Sequence, residues 1–437
     1  MIQMAVFNLL VGAFVLALTR GAHPVLWSRR WVRRTFYGIW LAGPVGALCR
    51  GLGVGLVVKT WSNPYLAALG AFLSGAGTVL LLSLFVAMPL ATLLRLTFVG
   101  FARVAAARRP RAHDAPKADA PGAPAPPPEP SPAPDAQALA GTPAAPTKAS
   151  ALVLPRRQFV EGAVASVPAL FTGTAAVGIG GAFVDTAVPH RRMAYAGLAP
   201  ALDGLRILQI SDLHLGAFIT RSGVTELVAR ARDARPDLVV LTGDICDHLP
   251  WLEFALREFE TIEAPLGHFA VMGNHEYYRG ARATRALYAR SRIRLLDDEH
   301  VVLERGGAKI LLAGVDDPAG WDHAKNHYEV RADAALASAP SDADFRLALC
   351  HRPKGFAALA ERGVDLTLSG HTHGAQAGLA GRSVLEPLLP DWHLWGEYRR
   401  GASALYTSSG AGHWATFRLG CPSEAPLIEL ARTEDEA

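Results

Sequence analysis

Between about Leu205 and Leu430, five short apolar runs each give way to an oxygen or imidazole donor. "LRILQI" leads into "SDLHLG" with Asp212 and His214, "DLVVLTG" into Asp244 of "GDICD", and "HFAVMG" into "NHE" with Asn274 and His275. "FRLALC" leads into His351, and "VDLTLSG" into His371 and His373. Runs of aliphatic and β-branched residues bounded by glycine read as strands buried on both faces. "KILLAGV" and "ALYTSS" add two more strands, and "SGVTELVARARDA" and "PKGFAALAERG" read as amphipathic helices. The pattern is a layered α/β domain. In open α/β sheets, sites assemble beyond the carboxyl ends of strands, so the five donor groups are expected to converge there.

Taken singly, each signal has an ordinary explanation. An Asp after a strand commonly caps a turn by accepting a local backbone N–H. "GNHE" reads equally well as a glycine-marked turn, and His351 as a core histidine. Five such endings in one domain are the material of a metal centre. In "SGHTHG" an extended backbone aims His371 and His373 at the same side, with Thr372 turned away.

"D-x-H", "GD-x-x-D", "GNHE", a lone His after a strand and "GH-x-H" together resemble the calcineurin-like metallophosphoesterases. "DLHLG", "SGHTHG-x-Q" and the ending "GAGHWATFRLGCPSEAPLIEL" are similar to the membrane-associated branch of that superfamily. The resemblance runs from about Leu205 to the end of the chain and leaves out the first hundred and fifty residues. It implies an α+β sandwich, with two mixed β-sheets flanked by helices. It also implies that Asp212, His214 and His373 hold one divalent ion, that Asn274, His351 and His371 hold a second, and that Asp244 bridges the two. His275 matches the catalytic histidine beside the leaving-group oxygen. Glu276 is a candidate to orient His275, and Asp247 to fix its loop by hydrogen bonding. Ala375 departs from the branch, which often has glycine there. His413 and Trp414 give the final loop an aromatic, polar edge that either shapes a substrate pocket or is plain surface.

The chemistry is consistent with that set. Two divalent ions bring +4 and the two aspartates −2, so the imidazoles and the amide leave a net +2 that attracts phosphate and favours a bridging hydroxide. Two ions ~3.5–4 Å apart can hold a nucleophile and a phosphoryl oxygen for in-line attack. Imidazole with carboxylate suits Mn, Fe, Zn or Co and does not choose among them.

The remaining half of the chain is of another kind. Ile2 to Leu18, Phe36 to Val58 and Tyr65 to about Leu94 are apolar stretches near the ~20 residues that a membrane-spanning helix needs. The second, with Pro44, several glycines and Arg50, is the one most open to a broken or re-entrant course. Residues 110–150 are rich in Pro and Ala, lack aromatics, and read as a disordered linker. Arg156 to Val184 supplies a fourth span, and its arginine pair reads as a cytoplasmic flank or an internal twin-arginine pattern. The expected organisation is therefore a membrane region of about three spans (1–109), the linker (110–150), a fourth span (151–192) and a metallophosphoesterase domain (193–437). Arginines crowd the first and third loops, which places those loops inside and the catalytic domain outside a cytoplasmic (inner) membrane. Arg191 and Arg192 weigh the other way.

Composition agrees with a bilayer partner: mean hydropathy is +0.19 and only 19% of residues are charged. A net charge of +4 without a basic stripe argues against nucleic acid. Cys49, Cys246, Cys350 and Cys421 form no C-x-x-C pair and are too few for a disulfide framework, and Cys246 and Cys350, close to the motifs, read as small buried side chains. The expectation is a membrane-anchored dinuclear phosphoesterase acting on a phosphorylated small molecule or lipid, such as a phospholipid, lipid-linked diphosphate or envelope precursor. Nucleotides, cyclic dinucleotides and phosphoproteins remain open. The alternatives are a nucleotide phosphodiesterase and a catalytically silent metal-binding sensor or scaffold.

Overall fold

The computed structural model describes residues 2–53, 64–107, 155–216, 218–320, 326–413 and 415–433. The linker expected over 110–150 and Trp414 lie outside them.

Two six-stranded sheets form the C-terminal half. In the first, β1 (His190–Tyr195) pairs with β14 (Leu427–Arg432), which continues to β2 (Arg206–Ile210), β3 (Leu238–Thr242), β4 (His268–Val271) and β5 (Arg294–Leu295). In the second, β12 (Gly396–Arg400) is followed by β13 (Ser403–Thr407), β9 (Leu366–Ser369), β8 (Phe345–Cys350), β7 (Ala308–Val315) and β6 (Glu299–Arg305). A small hairpin, β10 (Gly378–Leu379) with β11 (Arg382–Ser383), follows the "HTH" segment. Both sheets are mixed. β2 to β5 run parallel, and so do β7, β8, β9 and β13, whereas β14 is antiparallel to β2, β6 to β7 and β12 to β13.

Side-chain alternation explains the layers. Ile207, Leu238, Val240 and Val271 point between the sheets to meet Ile310, Leu312, Leu347, Leu349, Leu366 and Leu368. Their neighbours Leu208, Ile210, Val239 and Leu241 point the other way, against helices. Full burial of each such side chain contributes roughly 1.5–3 kcal/mol. That second face is covered by α6 (Arg221–Asp233), capped by the Thr220 side chain, and by α7 (Leu252–Phe259). Val224, Leu227, Val228 and Ala231 make the buried stripe of α6 at the spacing of one helical face. α8 (Asn274–Tyr288) begins directly at the "NHE" motif. α9 (His327–Ala335) and α10 (Phe356–Ala360) cover the far side of the second sheet, against Ala313, Val315, Ala348 and Cys350.

The described residues of the N-terminal half form α1 (Ile2–Ala22), the short α2 (Pro24–Ser28), α3 (Arg30–Gly53), α4 (Pro64–Ala107) and α5 (Arg156–Gly181). Three of these are long and apolar enough to cross a membrane, over Ala5–Ala22, Ala68–Ala105 and Gln158–Gly181. α3 carries residues 36–53 of the second apolar stretch, with Pro44 inside and arginines at both ends, and is not among them; residues 54–58 of that stretch lie outside the described residues. It nevertheless packs closely on α4. A Cβ on Gly46 would lie 2.3 Å from the Ser74 nitrogen, and one on Gly77 would lie 2.9 Å from that of Gly43, so small residues set the helix separation. Asn8 donates to Thr78 at 2.9 Å, and His23 meets Thr92 at 2.9 Å. α1 therefore runs parallel to α4, and α3 antiparallel to it.

Arg191 and Arg192 are not a flank of the last apolar helix; they lie on β1, paired with Ile428 and Glu429.

Candidate metal centre

The seven expected donors come from the ends of five strands. Asp212 and His214 follow β2, Asp244 follows β3, Asn274 follows β4, His351 follows β8, and His371 and His373 follow β9. Two of these strands belong to one sheet edge and three to the other, so the donors meet where the sheets open. Asp212, His214 and His373 have ligand atoms within 4.8 Å of one another, and so do Asp244, His351 and His371. His214, Asp244 and His275 form a third such group that joins the two.

The backbone is bent hard to achieve this. Asp212, His214, Asp244, His371 and His373 all have left-handed φ, between 50° and 70°. Such a conformation costs an L-residue roughly 1–2 kcal/mol, and its concentration here marks a site where aim outweighs relaxation. The segment from His371 to His373 is therefore a tight turn and not the extended stretch expected. His371 Nδ1 faces His351 Nε2 at 3.2 Å, while His373 Nε2 faces His214 Nε2 at 3.1 Å, so the two imidazoles of "HTH" serve different clusters. Thr372 turns away and donates to the Leu394 carbonyl. Gly370 is required beside them, since a Cβ there would lie 2.0 Å from an Asp212 carboxylate oxygen.

Hydrogen bonds fix which atoms are presented. His351 Nδ1–H donates to the Thr242 carbonyl at 2.8 Å, which leaves Nε2 as the atom that faces Asp244, at 3.3 Å. Asp212 accepts the His371 backbone N–H at 3.0 Å and the Ser211 hydroxyl. Asn274 Oδ1 is buried without a hydrogen-bond partner. An orphaned amide oxygen among carboxylates and facing imidazoles is what a cation site leaves when the cation is not counted, so these residues fit divalent metal.

The charge balance points the same way. Burial opposes a proton on His214 and on His351, yet the surrounding aspartates outweigh it and raise them to about 9 and about 10. Asp244 is pulled down despite its burial, by His351 and His214. Burial and the neighbouring His351 push His371 down to about 2, and burial and His214 push His373 well below its usual range. Protons and metal thus compete for the same lone pairs.

Two carboxylates beside the donors act through hydrogen bonds, and only Glu276 departs from the role expected of it. Glu276 does not orient His275. Its carboxylate accepts the backbone N–H groups of Gly273, Asp244 and Ile245, each at 2.8 Å, and so ties the "GD" loop to the start of α8. Asp247 is what holds His275, at 2.7 Å from Nδ1, and it also holds His214 Nδ1 at 3.1 Å and Arg279 at 2.8 Å. The second Asp of "GD-x-x-D" was the available signal for it. The closing motif is also explained. Glu424 accepts from Trp395, Tyr406 and the Ser409 N–H, and Arg418 donates to the carbonyls of Ser409, Gly410, Gly412 and Cys421. Together they set the loop that backs Asp212, where Gly412 N–H meets the Asp212 carbonyl at 2.9 Å. Gln376 bridges the "HTH" turn to Ala415 and Phe417 of the same loop.

The site adjoins the helical half. Arg418 N–H donates to the Gly178 carbonyl of α5 at 2.7 Å, and Phe183, just past α5, meets both Phe72 of α4 and His413.

A family model described as calcineurin-like phosphoesterase matches residues 205–375. An uncharacterized metallophosphoesterase of Aquifex aeolicus is 33% identical over 41% of this chain and 67% of that protein. One from Helicobacter pylori (strain J99) is 32% identical over 52% of this chain and 60% of that protein, so the chain spans less than two thirds of that relative's length. Phosphodiesterase YaeI of Escherichia coli (strain K12) is 28% identical over 52% of this chain and 82% of that protein.

Proposed function

Because this chain belongs to the calcineurin-like phosphoesterase family, we propose that it is a membrane-anchored phosphoesterase. In this reading Asp212, His214 and His373 hold one divalent ion, Asn274, His351 and His371 hold another, and Asp244 lies between them. The observation that carries it is the pair of facing ring nitrogens, His214 with His373 and His351 with His371, on either side of Asp244. Bound divalent ions would supply Lewis-acid polarisation of a phosphoryl oxygen and lower the pKa of water towards neutrality.

The chain's own residues do the rest. His275 is 25% exposed while the ligand carboxylates are buried, so it stands at the open edge of the cluster. Asp247 fixes the ring through Nδ1 and leaves Nε2 to protonate the departing oxygen. His351 and His214 are held through Nδ1 by Thr242 and Asp247, which keeps their Nε2 atoms aimed inward.

The substrate class proposed is an amphiphilic phosphate ester or diphosphate of the bilayer. Support comes from the site's position against the ends of α4 and α5, and from Arg50 of α3, which lies near enough to Asp247 and Arg279 to interact with both. The catalytic domain is proposed to be extracytoplasmic. Arg20, Arg30, Arg33 and Arg34 lie at the opposite end of the helices from it, consistent with an inward-facing basic loop.

The test is hydrolysis of bis(p-nitrophenyl) phosphate by the full chain in detergent with Mn²⁺. Turnover should be abolished by a chelator and fall roughly 10²–10⁴-fold in His275→Ala. Bound metal without turnover across several divalent ions would sink the enzyme reading and favour a silent sensor.

A further inference from the structure

The loop that backs Asp212 ends on a side chain the proposed chemistry does not use. Ala411 N–H donates to the Ser211 carbonyl at 2.7 Å and Gly412 N–H to that of Asp212, and this anchoring delivers His413 into an aromatic seam. Its ring stacks on Phe218 at 4.7 Å and 27°, and lies edge-on to Phe183 at 6.3 Å. Phe183 in turn meets Phe72 of α4 at 5.6 Å. His413 is 2% exposed, and neither of its ring nitrogens has a hydrogen-bond partner. Each buried polar atom left unsatisfied costs roughly 1–3 kcal/mol, so a ring with two of them is best explained by a partner that arrives from outside.

The surroundings define that partner. Burial, then Arg418 and His214, push His413 down to about 3, so at neutral pH one nitrogen donates and the other accepts. A neutral ring among phenylalanines suits an uncharged group that can accept and donate, such as a hydroxyl beside an ester. It does not suit a second phosphate, which would call for a cation. One end of the seam is the Asp212 and His214 side of the metal centre. The other end is Phe183, 57% exposed, beside the first turns of an apolar helix.

We propose that His413, with Phe218 and Phe183, is the subsite that binds the uncharged hydroxyl and ester groups of a membrane phospholipid while its phosphate lies on the metal cluster. This rests on the phosphoesterase reading and names the part of the substrate that the metal centre cannot recognise. His413 is thus a specificity residue between two regions, one reading charge and the other reading apolar surface.

The experiment uses the full chain in mixed micelles with Mn²⁺ and measures two competitors of bis(p-nitrophenyl) phosphate hydrolysis, phosphatidylglycerol and inorganic phosphate. His413→Phe keeps the ring stack and removes both nitrogens. The inhibition constant for phosphatidylglycerol should rise about tenfold, the loss of one buried hydrogen bond, while that for inorganic phosphate stays put. His413→Gln should recover part of the difference. If both constants move together, the ring supports the metal centre only, and the proposal falls; it falls equally if neither moves or if the lipid does not inhibit the wild type. Should the wild type not hydrolyse the diester at all, the parent reading fails instead. The subsite is then judged by direct binding of a fluorescent phosphatidylglycerol, which His413→Phe should weaken by the same factor.

Discussion

Asp247 accepts hydrogen bonds from two histidines with different proposed tasks, His214 among the candidate metal donors and His275 at the open edge, and from Arg279 on its far side. An amide in its place offers one acceptor oxygen where the carboxylate offers two, so one ring is released. Asp247→Asn should therefore lower kcat/KM roughly 10–100-fold, with part of the loss appearing as weaker metal retention at the His214 side. Steady-state kinetics paired with metal content per chain would separate the two, and unchanged values for both would refute the assignment. At this scale the donors themselves were legible, because Asp, Asn and His at the ends of apolar runs have few other reasons to recur. The supporting carboxylates were not. Glu276 sits next to His275 in sequence and accepts from Gly273 three residues back, but it also holds Asp244 and Ile245, and nothing local in the chain announces those two partners, 32 and 31 residues away.

The turn after β9 shows how an element can be recognisable and its geometry hidden. His371 to Gln376 contains left-handed residues at His371, His373, Ala375 and Gln376, and Ala375 has φ 53°. A methyl group in that region is strained where glycine is not. Ala375→Gly should raise stability by about 0.5–1 kcal/mol, the relief of strain less the extra freedom of the unfolded glycine, and calorimetry should register it as a rise in Tm. A fall would mean that the Ala375 methyl makes contacts worth more than the strain. The strongly apolar strands were readable as strands. β1, β6 and β12 were not, because their burial is mixed and "HRRMAY" carries two arginines that read equally well as the border of a membrane helix. Pairing with β14, far along the chain, is what makes that segment a strand.

For the whole molecule, the alternating course of α1, α3, α4 and α5 puts the catalytic half at one end of the helices and the arginine-rich loop at the other. If the helices span, a membrane-impermeant thiol reagent applied to intact cells should label Ser341→Cys and spare Ser28→Cys until the membrane is opened. Both positions are exposed, whereas Cys246, Cys350 and Cys421 are buried and should stay silent. The reverse pattern would move the site to the cytoplasmic face and remove bilayer lipids of the outer leaflet from consideration. The division into an apolar half and a layered half could be read from composition and periodicity. The contact between them through Phe72, Phe183 and His413 could not, since it depends on where the last loop lands. The strand order also has a bearing on biogenesis. β14 is inserted between β1 and β2 and is parallel to the first and antiparallel to the second, so the first sheet stays split until the segment Leu427–Arg432 has left the ribosome. The loop that backs Asp212 through Ala411 and Gly412 leads into that segment, so the donor cluster gains this support late. A chain stalled anywhere upstream leaves β1 without its partner and the β2 edge of the first sheet open to other strands.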